Sequence, residues 1–348
     1  MKWNLPRRTV TYRQSALERQ SILTKPTGAL GVLEQVAVWL ADVQQTDAPC
    51  ADSASVIVFA SDHPVSRLGV SAYPREVTPM MVINLAEGGA AASVLARLNG
   101  AFLHVVDVGV EPYPDPQPAN DVCWSRVNVG GSVGDIRDTD AMDSVAVENA
   151  IQAGSDAVDA LPDGTNILIL GEMGIGNTTP ASALTACLLK RSADQVVGPG
   201  TGVSGEALSA KRELVSLALD RTKGTTDPLA VLRRLGGREI AAIVGAMGRA
   251  AERGIAILVD GFIVSSAALV AVTMDERLRD YLWFGHRSAE PGHARILEAM
   301  GACPLVDAGL RLGEGSGALT ALPLVQAAVA LHNDMATFEQ ASVPNREQ

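Results

Sequence analysis

The stretch that decides the fold is Asn166-Ile-Leu-Ile-Leu-Gly-Glu-Met-Gly-Ile-Gly-Asn-Thr-Thr-Pro180. It begins with a short apolar run, which is typical of a strand buried on both faces of a sheet. The run ends in a glycine loop, and an alanine-rich stretch of helical length follows from Thr178 onward. The succession of strand, glycine loop and helix is typical of α/β proteins, in which a helix N-terminus can hold an anion.

Four further apolar runs repeat this arrangement and stop at a glycine or an acidic residue: 55–60 before Asp62, 102–106 before Asp107, 255–259 before Asp260 and 281–284 before Gly285. Continuous apolar strands that alternate with helices indicate a parallel sheet covered on both faces. We therefore predict an α/β fold. In such sheets ligands bind beyond the carboxyl ends of the strands, where these polar residues stand.

Helical segments fill the intervals and dominate both ends of the chain. We predict helices over 84–98, 178–190 and 241–253, an amphipathic stretch around 30–40, and an apolar helix over 319–331. At 348 residues the chain exceeds one typical domain core. We expect a large α/β domain over 50–310 and a small, mainly helical domain formed by 1–49 together with 311–348.

Composition and charge argue against several classes of function. A formal net charge of −11 disfavours a nucleic-acid surface, since phosphate backbones are bound by a basic field. The N-terminus lacks a secretory apolar segment, and no window reaches the ~18 uninterrupted apolar residues of a membrane helix. Cys50, Cys123, Cys187 and Cys303 show neither zinc-site nor disulfide spacing. These features predict a reduced, cytoplasmic enzyme with no membrane partner.

Two glycine-rich loops are candidate anion sites. The first, 171–180, combines backbone amides with threonine hydroxyls but lacks the lysine of a Walker A loop, and a purely structural turn explains it about equally well. The second, 197–203, precedes Lys211 by about two helical turns and on its own is typical of an ordinary loop. Together they indicate a phosphorylated sugar as ligand. Because no loop for a magnesium diphosphate accompanies them, we expect no metal and no cofactor.

The segment Leu312-Gly-Glu-Gly-Ser-Gly-Ala318 isolates one carboxylate, Glu314, between glycines and ahead of an apolar helix. Glycines let the backbone approach a ligand closely, and burial raises the pKa of a carboxylate toward that of a general base. These seven residues alone favour the plainer interpretation, an acid at a helix N-terminus. The choice depends on the rest of the chain.

Histidines at two strand ends are candidate metal ligands, but their surroundings favour other roles. Asp62-His63 is more typical of a hydrogen-bonded structural pair than of a metal site. In the segment 285–293, Pro291 and Gly292 interrupt any helix, so the two histidines and the glutamate lack i,i+4 geometry. We interpret this segment as a substrate-lining loop.

Eight segments, taken in order along the chain, form a more specific pattern than any one of them alone. They are Thr24–Gly31, Gly69–Thr78, Gly88–Ala91, Gly171–Pro180, Gly200–Gly202, Asp260–Phe262, Ser288–His293 and Leu312–Ala318. Each is weak alone, but the ordered set closely resembles the nicotinate-nucleotide–dimethylbenzimidazole phosphoribosyltransferase family. The resemblance implies a homodimer with a Rossmann-like large domain and a small domain from both termini. It also implies transfer of ribose phosphate from nicotinate mononucleotide to a benzimidazole nitrogen, in cobalamin lower-ligand assembly.

The resemblance further implies roles for single residues. Glu314 aligns with the general base of the family, and Glu172 lies in its glycine loop as a supporting acid. The implied phosphate and ribose contacts are Gly174, Gly176, Asn177, Thr178, Gly200, Thr201, Gly202, Asp260 and Gly261. The implied pocket for the acceptor base comprises Asp62, Ser71, Tyr73, Met80 and Leu312, with Lys211 and Ser288 as further site residues.

The chain departs from the family pattern at two positions. Pro64 stands where the family usually has glycine after Asp-His, and Met80 stands where it often has glutamine. Loss of that amide favours a more apolar or different lower-ligand base. Two alternatives remain, namely the same transfer to a purine or a phenol, and a nucleotide-binding homologue without activity. The intact turn around Glu314 counts against the second.

Overall fold

A single parallel sheet forms the centre of the fold. A computed structural model of the chain describes residues 2–344. Within them the strands are β1 (Ala54–Ala60), β2 (Phe102–Asp107), β3 (Val122–Arg126), β4 (Ile167–Met173), β5 (Ala256–Val259) and β6 (Leu282–Phe284). They lie in the order β3-β2-β1-β4-β5-β6, and every neighbouring pair is parallel. The predicted α/β fold is confirmed.

Helices connect the strands and cover the sheet. In chain order they are α1 (Val10–Ile22), α2 (Val32–Gln44), α3 (Val77–Ala86), α4 (Ala91–Leu98), α5 (Ser144–Asp159), α6 (Thr178–Leu189), α7 (Ala193–Val196), α8 (Gly205–Arg221), α9 (Pro228–Leu235), α10 (Arg238–Glu252), α11 (Phe262–Met274), α12 (Pro291–Ala299) and α13 (Ser316–Asp334). Short 3₁₀ turns occupy Pro64–Leu68 and Glu276–Tyr281.

The middle strands are the most deeply buried part of the molecule. Every residue of β1 and β5 is buried, and so is β4 up to its last residue. Strands buried at every position need cover on both faces, which explains their continuous apolar sequences. Helix α10 packs on β1, β4 and β5 and also against α5. The two helices approach closely at Gly154, where a Cβ would collide with the carbonyl group of Ala242.

The predicted helix over 84–98 is wrong, and one strand of the sheet was not predicted. The segment 84–98 is not one helix, because the Gly88-Gly89 pair ends α3 and turns the chain into α4, with Gly88 at a φ of +86°. Strand β3 was not predicted, since the segment 122–126 contains no continuous apolar run. It is an edge strand that is buried only at Val122, so its composition is mixed.

Helix α12 corrects the interpretation of residues 285–293. Pro291 begins this helix instead of interrupting one, because the fixed φ of proline suits the first helical position and its missing N–H is not needed there. Gly292 and His293 therefore belong to the first helical turn. Only residues 285–290 precede the helix.

The two ends of the chain pack together. Helices α1 and α13 both contact α2, and the side-chain amide of Gln20 is hydrogen-bonded to Nδ1 of His332 at 2.9 Å. The backbone N–H of Thr24 donates to the carbonyl of Ala336 at 3.0 Å. Helix α13 also packs on β4 and β5, and one apolar core continues from Trp3 into the sheet. The division into domains at residues 50 and 310 stays a prediction.

One segment, Val77–Leu98, is long and apolar enough to cross a membrane by length and composition, with a mean hydropathy of 1.3. It is folded as α3 and α4, which are separated by the glycine turn, and both helices pack on β2. Because core helices pass the same test, this segment is weak evidence for a membrane span.

Candidate active site at the carboxyl edge of the sheet

A cavity opens where β4 and β5 end, next to the point where the strand order reverses between β1 and β4. Parallel sheets typically bind ligands at such a point. Ten of the site residues expected from the sequence line this cavity: Glu172, Gly174, Asn177, Thr178, Gly200, Thr201, Asp260, Gly261, Ser288 and Leu312. Gly176 and Gly202 belong to the same two loops without lining the cavity.

Glu172 belongs to β4 itself, which runs three residues past Leu170, and it is only 6% exposed. The side-chain amide of Asn177 donates a hydrogen bond to its Oε2, and Gly313 approaches its Oε1 so closely that a Cβ there would collide. Burial raises the pKa of Glu172 well above its usual range, and the charges of nearby carboxylates raise it further. The site therefore makes proton binding by Glu172 more favourable than it is for an ordinary glutamate.

Glu314 occupies a left-handed turn between two glycines. Gly313, Glu314 and Gly315 have φ values of +91°, +63° and +82°. For a residue with a Cβ this conformation costs about 1–2 kcal/mol, and such strain is found mainly at functional sites. The turn lies directly on Gly171, where a Cβ would collide with the carbonyl group of Glu314. The backbone N–H of Glu314 also donates to the carbonyl of Glu172 at 3.3 Å.

The carboxylate of Glu314 is held by the N-terminus of α4. Its Oε2 accepts a hydrogen bond from the backbone N–H of Ala92 at 3.2 Å, and the residue is 3% exposed. Burial raises the pKa of Glu314, the amides of Ala92 and Ala91 partly oppose this, and the charge of Asp260 adds to it. Glu314 borders the cavity without lining it. The glycine turn before α4 thus places the amides that hold this carboxylate.

Asp260 completes a cluster of three buried carboxyl groups. It follows β5, and its Oδ1 accepts a hydrogen bond from the backbone N–H of Ala318 at 2.9 Å and lies 3.4 Å from Nε2 of His286. Its charge raises the pKa of both Glu172 and Glu314. The charge of Asp260 thus favours proton binding by Glu172 and Glu314, and a cluster of carboxylates stabilises a positive charge that develops beside it.

Lys211 joins the two glycine loops. Lys211 belongs to α8 and is fully buried, and its Nζ donates to Oγ1 of Thr178 at 2.7 Å and to the carbonyl of Gly198 at 3.1 Å. Glu290 fastens the same loop, because its Oε1 accepts the backbone N–H of Gly200 at 2.8 Å. Burial lowers the pKa of Lys211 to about 8, although the charge of Glu290 opposes this. Both predicted anion loops thus reach one cavity.

Hydrogen-bond donors converge at the mouth of the first loop. Thr178 begins α6, and its backbone N–H has no acceptor among residues 2–344. Arg311 lines the same cavity and donates from Nη1 to the carbonyl of Gly200 at 3.3 Å. An unpaired N–H at a helix N-terminus, next to a lysine and an arginine, is suited to bind a phosphate group.

The residues expected around the acceptor base are dispersed. Ser71 stands next to the cavity, because its Oγ is hydrogen-bonded to Oγ1 of Thr201 at 3.0 Å. Tyr73 and Met80 are 55% and 64% exposed and do not line the cavity. Asp62 lies in a separate cleft at the ends of β1 and β2, where its Oδ2 accepts a backbone N–H. The structure therefore does not bring Asp62, Tyr73 and Met80 to the cavity.

Metal-ligating side chains are not grouped at the site. Within residues 2–344 no three His, Cys, Asp or Glu residues form a cluster that suits a metal ion. His293 accepts the backbone N–H of Ser288 at Nδ1 and is hydrogen-bonded to Oγ of Ser265 at Nε2, at 2.8 and 3.0 Å. Burial lowers its pKa to about 3, so His293 is a neutral structural histidine.

Sequence reasoning missed three charged side chains around the site: Arg311, Glu290 and Glu239. Arg311 directly precedes the Leu312–Ala318 segment, which is the one signal that pointed to it. Glu290 was included in a loop without a role of its own. The hydrogen-bonded partner of His63 is Glu239, at 2.7 Å, and not its neighbour in the chain. A lone acid at the start of the apolar helix α10 was the signal for Glu239.

Known proteins share this architecture over the whole chain. A family model described as phosphoribosyltransferase matches residues 6–343. The chain belongs to this family. The nicotinate-nucleotide–dimethylbenzimidazole phosphoribosyltransferase of Pseudomonas syringae pv. syringae is 48% identical over 340 residues, which are 97% of this chain and 95% of that protein.

Two further proteins are similar to this chain over nearly its full length. The protein of the same name from Xanthomonas axonopodis pv. citri is 48% identical over 332 residues, which are 95% of this chain and 94% of its own length. The crystal structure of CobT from Thermus thermophilus superposes with a TM-score of 0.90 at 43% identity, covering 97% of this chain and 100% of that one. The resemblance to this family and the predicted enzyme class are confirmed.

Proposed function

We propose that the chain transfers ribose 5-phosphate from nicotinate mononucleotide to 5,6-dimethylbenzimidazole or a related base. The products are α-ribazole 5′-phosphate and nicotinate, and the reaction serves assembly of the cobalamin nucleotide loop. The observation that carries this proposal is that buried carboxyl groups and anion-binding loops meet at one cavity. A cluster of three buried carboxyl groups stands beside two glycine loops that Lys211 ties together. The names of the relatives support the choice of substrates.

The donor phosphate fits the end of the cavity formed by the glycine loops. The free N–H of Thr178, the ammonium of Lys211 and the guanidinium of Arg311 offer a helix N-terminus and two cations. A phosphate dianion there stabilises the charged form of Lys211 and so opposes the lowering of its pKa by burial. These donors bind the 5′-phosphate without a metal or a cofactor.

The carboxyl cluster fits the ribose. In nicotinate mononucleotide the ring nitrogen is a pyridinium, so the electron pair of the breaking glycosidic bond returns to that nitrogen without an acid catalyst. Positive charge builds up on the sugar as the bond lengthens. Glu172 and Asp260 line the cavity where this charge develops, and a fixed negative potential there lowers the barrier. Substrate charge also favours ionisation of the cluster.

Glu314 takes the remaining proton. A benzimidazole nitrogen forms the new bond to the sugar with its lone pair, and the other ring nitrogen then loses its proton. A carboxylate with a pKa raised by burial is a suitable acceptor for that proton. The strained turn fixes the position of Glu314, and the amides of α4 hold its carboxylate until substrate enters.

We also propose that the chain acts as a cytoplasmic homodimer. Leu312, which lines the cavity, and Tyr73 and Met80, which do not, are exposed apolar side chains that a second subunit can cover. The four cysteines are free thiols, which fits a reducing compartment.

The test is to incubate the protein with nicotinate mononucleotide and a panel of benzimidazoles, purines and phenols, with mass detection of the ribotide. We expect a benzimidazole ribotide and one nicotinate released per ribotide formed. Omission of the base is the control, because it measures plain hydrolysis of the donor. Products only with purines or phenols would reassign the acceptor. Absence of product with every base would leave a nucleotide-binding protein without activity.

A further inference from the structure

A buried ion pair lies behind the first glycine loop and has no part in the chemistry above. Glu239, in the first turn of α10, is fully buried. Its Oε1 lies 2.7 Å from Nε2 of His63, and its Oε2 accepts a hydrogen bond from Oγ of Ser61. Both carboxylate oxygens of Glu239 therefore have a hydrogen-bond partner. We call these three residues the Ser61–His63–Glu239 cluster.

The imidazole ring of this cluster is held between two glycines. A Cβ on Gly174 would stand 3.2 Å from Cδ2 and Nε2 of His63 and 2.6 Å from the carbonyl oxygen of Ser61. On the other side, a Cβ on Gly237 would collide with the ring. The backbone N–H of Ser61 also donates to the carbonyl of Met173 at 3.1 Å. The cluster thus fixes the backbone where β4 passes into the first glycine loop.

The same cluster keeps a buried charge neutralised beside an anion site. After burial, the charge of Glu239 is the largest influence that raises the pKa of Glu172. Burial on its own lowers the pKa of His63, but the charge and hydrogen bond of Glu239, together with the charge of Asp62, outweigh it and the pKa is raised. The raised pKa favours the imidazolium form of His63 opposite the carboxylate, whose Oε1 is 2.7 Å from Nε2. Without it, a bare negative charge would stand behind the loop.

We propose that the Ser61–His63–Glu239 cluster positions the first glycine loop for the donor phosphate. His63 cancels the charge of Glu239 and holds the turn at Gly174, so the loop receives an anion instead of repelling it. The three side chains do not line the cavity, which makes them positioning residues. The inference rests on the proposed function, since it takes nicotinate mononucleotide as the donor.

A double-mutant cycle separates charge balance from packing. His63→Gln keeps a hydrogen bond but leaves Glu239 without a counter-charge, and we expect the donor KM to rise about tenfold or more while kcat stays within about threefold. Glu239→Gln removes the charge, its amide oxygen still accepts from His63 and its NH2 donates to the hydroxyl oxygen of Ser61, so we expect the donor KM to stay within about threefold. The double variant pairs two amides and is expected to recover most of the donor affinity.

Two further variants make the cycle robust. His104→Gln is the matched control, because His104 is a buried histidine of β2 that is hydrogen-bonded to Ser125 and has its pKa lowered by burial to about 4. It carries no charge to lose, and its donor KM stays at the wild-type value. Ser61→Ala is the milder variant should His63→Gln fail to fold. It removes one hydrogen bond from Glu239, and the donor KM rises about threefold.

The inference is overturned if the double variant is as impaired as His63→Gln, because packing alone then explains the loss. It is also overturned if His63→Gln and Ser61→Ala leave the donor KM unchanged, or lower kcat alone. A wild-type protein that forms no ribotide with any base rejects the proposed function instead. In that case, calorimetric titration of the same variants with nicotinate mononucleotide still tests the cluster.

Discussion

The carboxyl edge of the sheet has two halves, which differ in the partners of their acidic side chains. In the cleft at the ends of β1, β2 and β3, Asp107 accepts two backbone N–H groups, the hydroxyl of Tyr113 and the guanidinium of Arg126. Glu111 in the same cleft faces Arg67 and Arg75. We call this region the paired half. Every acid named here has a cationic partner.

At the ends of β4 and β5 the acids lack such partners. Glu172 is held by an amide, Glu314 by a backbone N–H, and Asp260 by a backbone N–H with His286 3.4 Å away. We call this region the strained half, since it also contains the left-handed turn at Glu314. Pairing stabilises a fold, whereas unpaired acids with raised pKa values are suited to chemistry. The proposed active site is therefore the half in which three buried acids have no arginine or lysine partner within the described residues.

The strongest test of this contrast compares one acid from each half. Glu314→Gln is expected to lower kcat by about 10²–10⁴-fold, because the amide cannot accept the proton. Glu111→Gln, in the paired half, is expected to change kcat less than about twofold, since exposed ion pairs contribute little. Steady-state kinetics with saturating donor and base measures both. Equal losses in the two variants would contradict the contrast.

The cations of the two halves are expected to differ in the same way. Lys211→Met should raise the donor KM about tenfold to a hundredfold, because it removes a charge-assisted contact to the phosphate and unties the glycine loops. Arg126→Met should leave the donor KM near its wild-type value. Lys223→Met, which alters an exposed lysine, is the control for loss of a positive charge. An unchanged donor KM in Lys211→Met would place the phosphate elsewhere.

The pH dependence of the strained half has a defined sign. As the proposed base, Glu314 must be ionised, so we expect kcat/KM to rise with pH through its raised pKa, which lies above that of an ordinary glutamate. The charge of Asp260 contributes to the raised pKa of Glu314. Asp260→Asn should therefore lower that pKa and move the acid limb of the profile to lower pH. Asp107→Asn is the control and should leave the limb in place. A shift of the limb to higher pH in Asp260→Asn would be the opposite of this expectation.

In the paired half, loss of an acid is expected to lower the free energy of unfolding and not the activity. Asp107→Asn leaves the guanidinium of Arg126 and two backbone donors with a weaker acceptor, which should lower the free energy of unfolding by about 1–3 kcal/mol. The kinetic constants should stay near their wild-type values. Urea denaturation together with the activity assay tests this division. A loss of activity without a loss of stability would make Asp107 part of the site.

The smallest effect concerns the strain at Glu314. Glu314→Gly and Glu314→Ala both remove the carboxylate, but only glycine adopts a φ of +63° freely. We expect Glu314→Gly to be more stable than Glu314→Ala by about 1 kcal/mol. Equal unfolding midpoints in urea would show that the turn relaxes when the carboxylate is gone.

The sequence predicted the buried strands and the edge strand β6, but it missed β3 at the other edge. β1, β4 and β5 are apolar at almost every position because helices cover both of their faces, whereas β3 lies at the edge and mixes polar with apolar residues. The helix over 84–98 was overextended because apolar composition alone does not indicate where the Gly88-Gly89 pair turns the chain.

Some residues of the candidate site could be predicted from the sequence, and others could not. Residues on the glycine loops and at the strand ends were identifiable because a local pattern surrounds them, and Glu172, Thr178 and Asp260 do line one cavity. The partners that hold these loops, such as Glu290 and Glu239, come from distant helices and carry no local signal. Tyr73 and Met80 entered through the resemblance to the family, and their place in an acceptor pocket stays a prediction.

The hydrogen bond between Ala92 and Glu314 has a consequence for the order of folding. It joins residues 222 positions apart in the chain. Contacts of such long range form late, because closing a large loop is entropically costly. The strands of the sheet are all synthesised before residue 314 leaves the ribosome. The scaffold can therefore assemble first, and we expect the turn that carries Glu314 to form late.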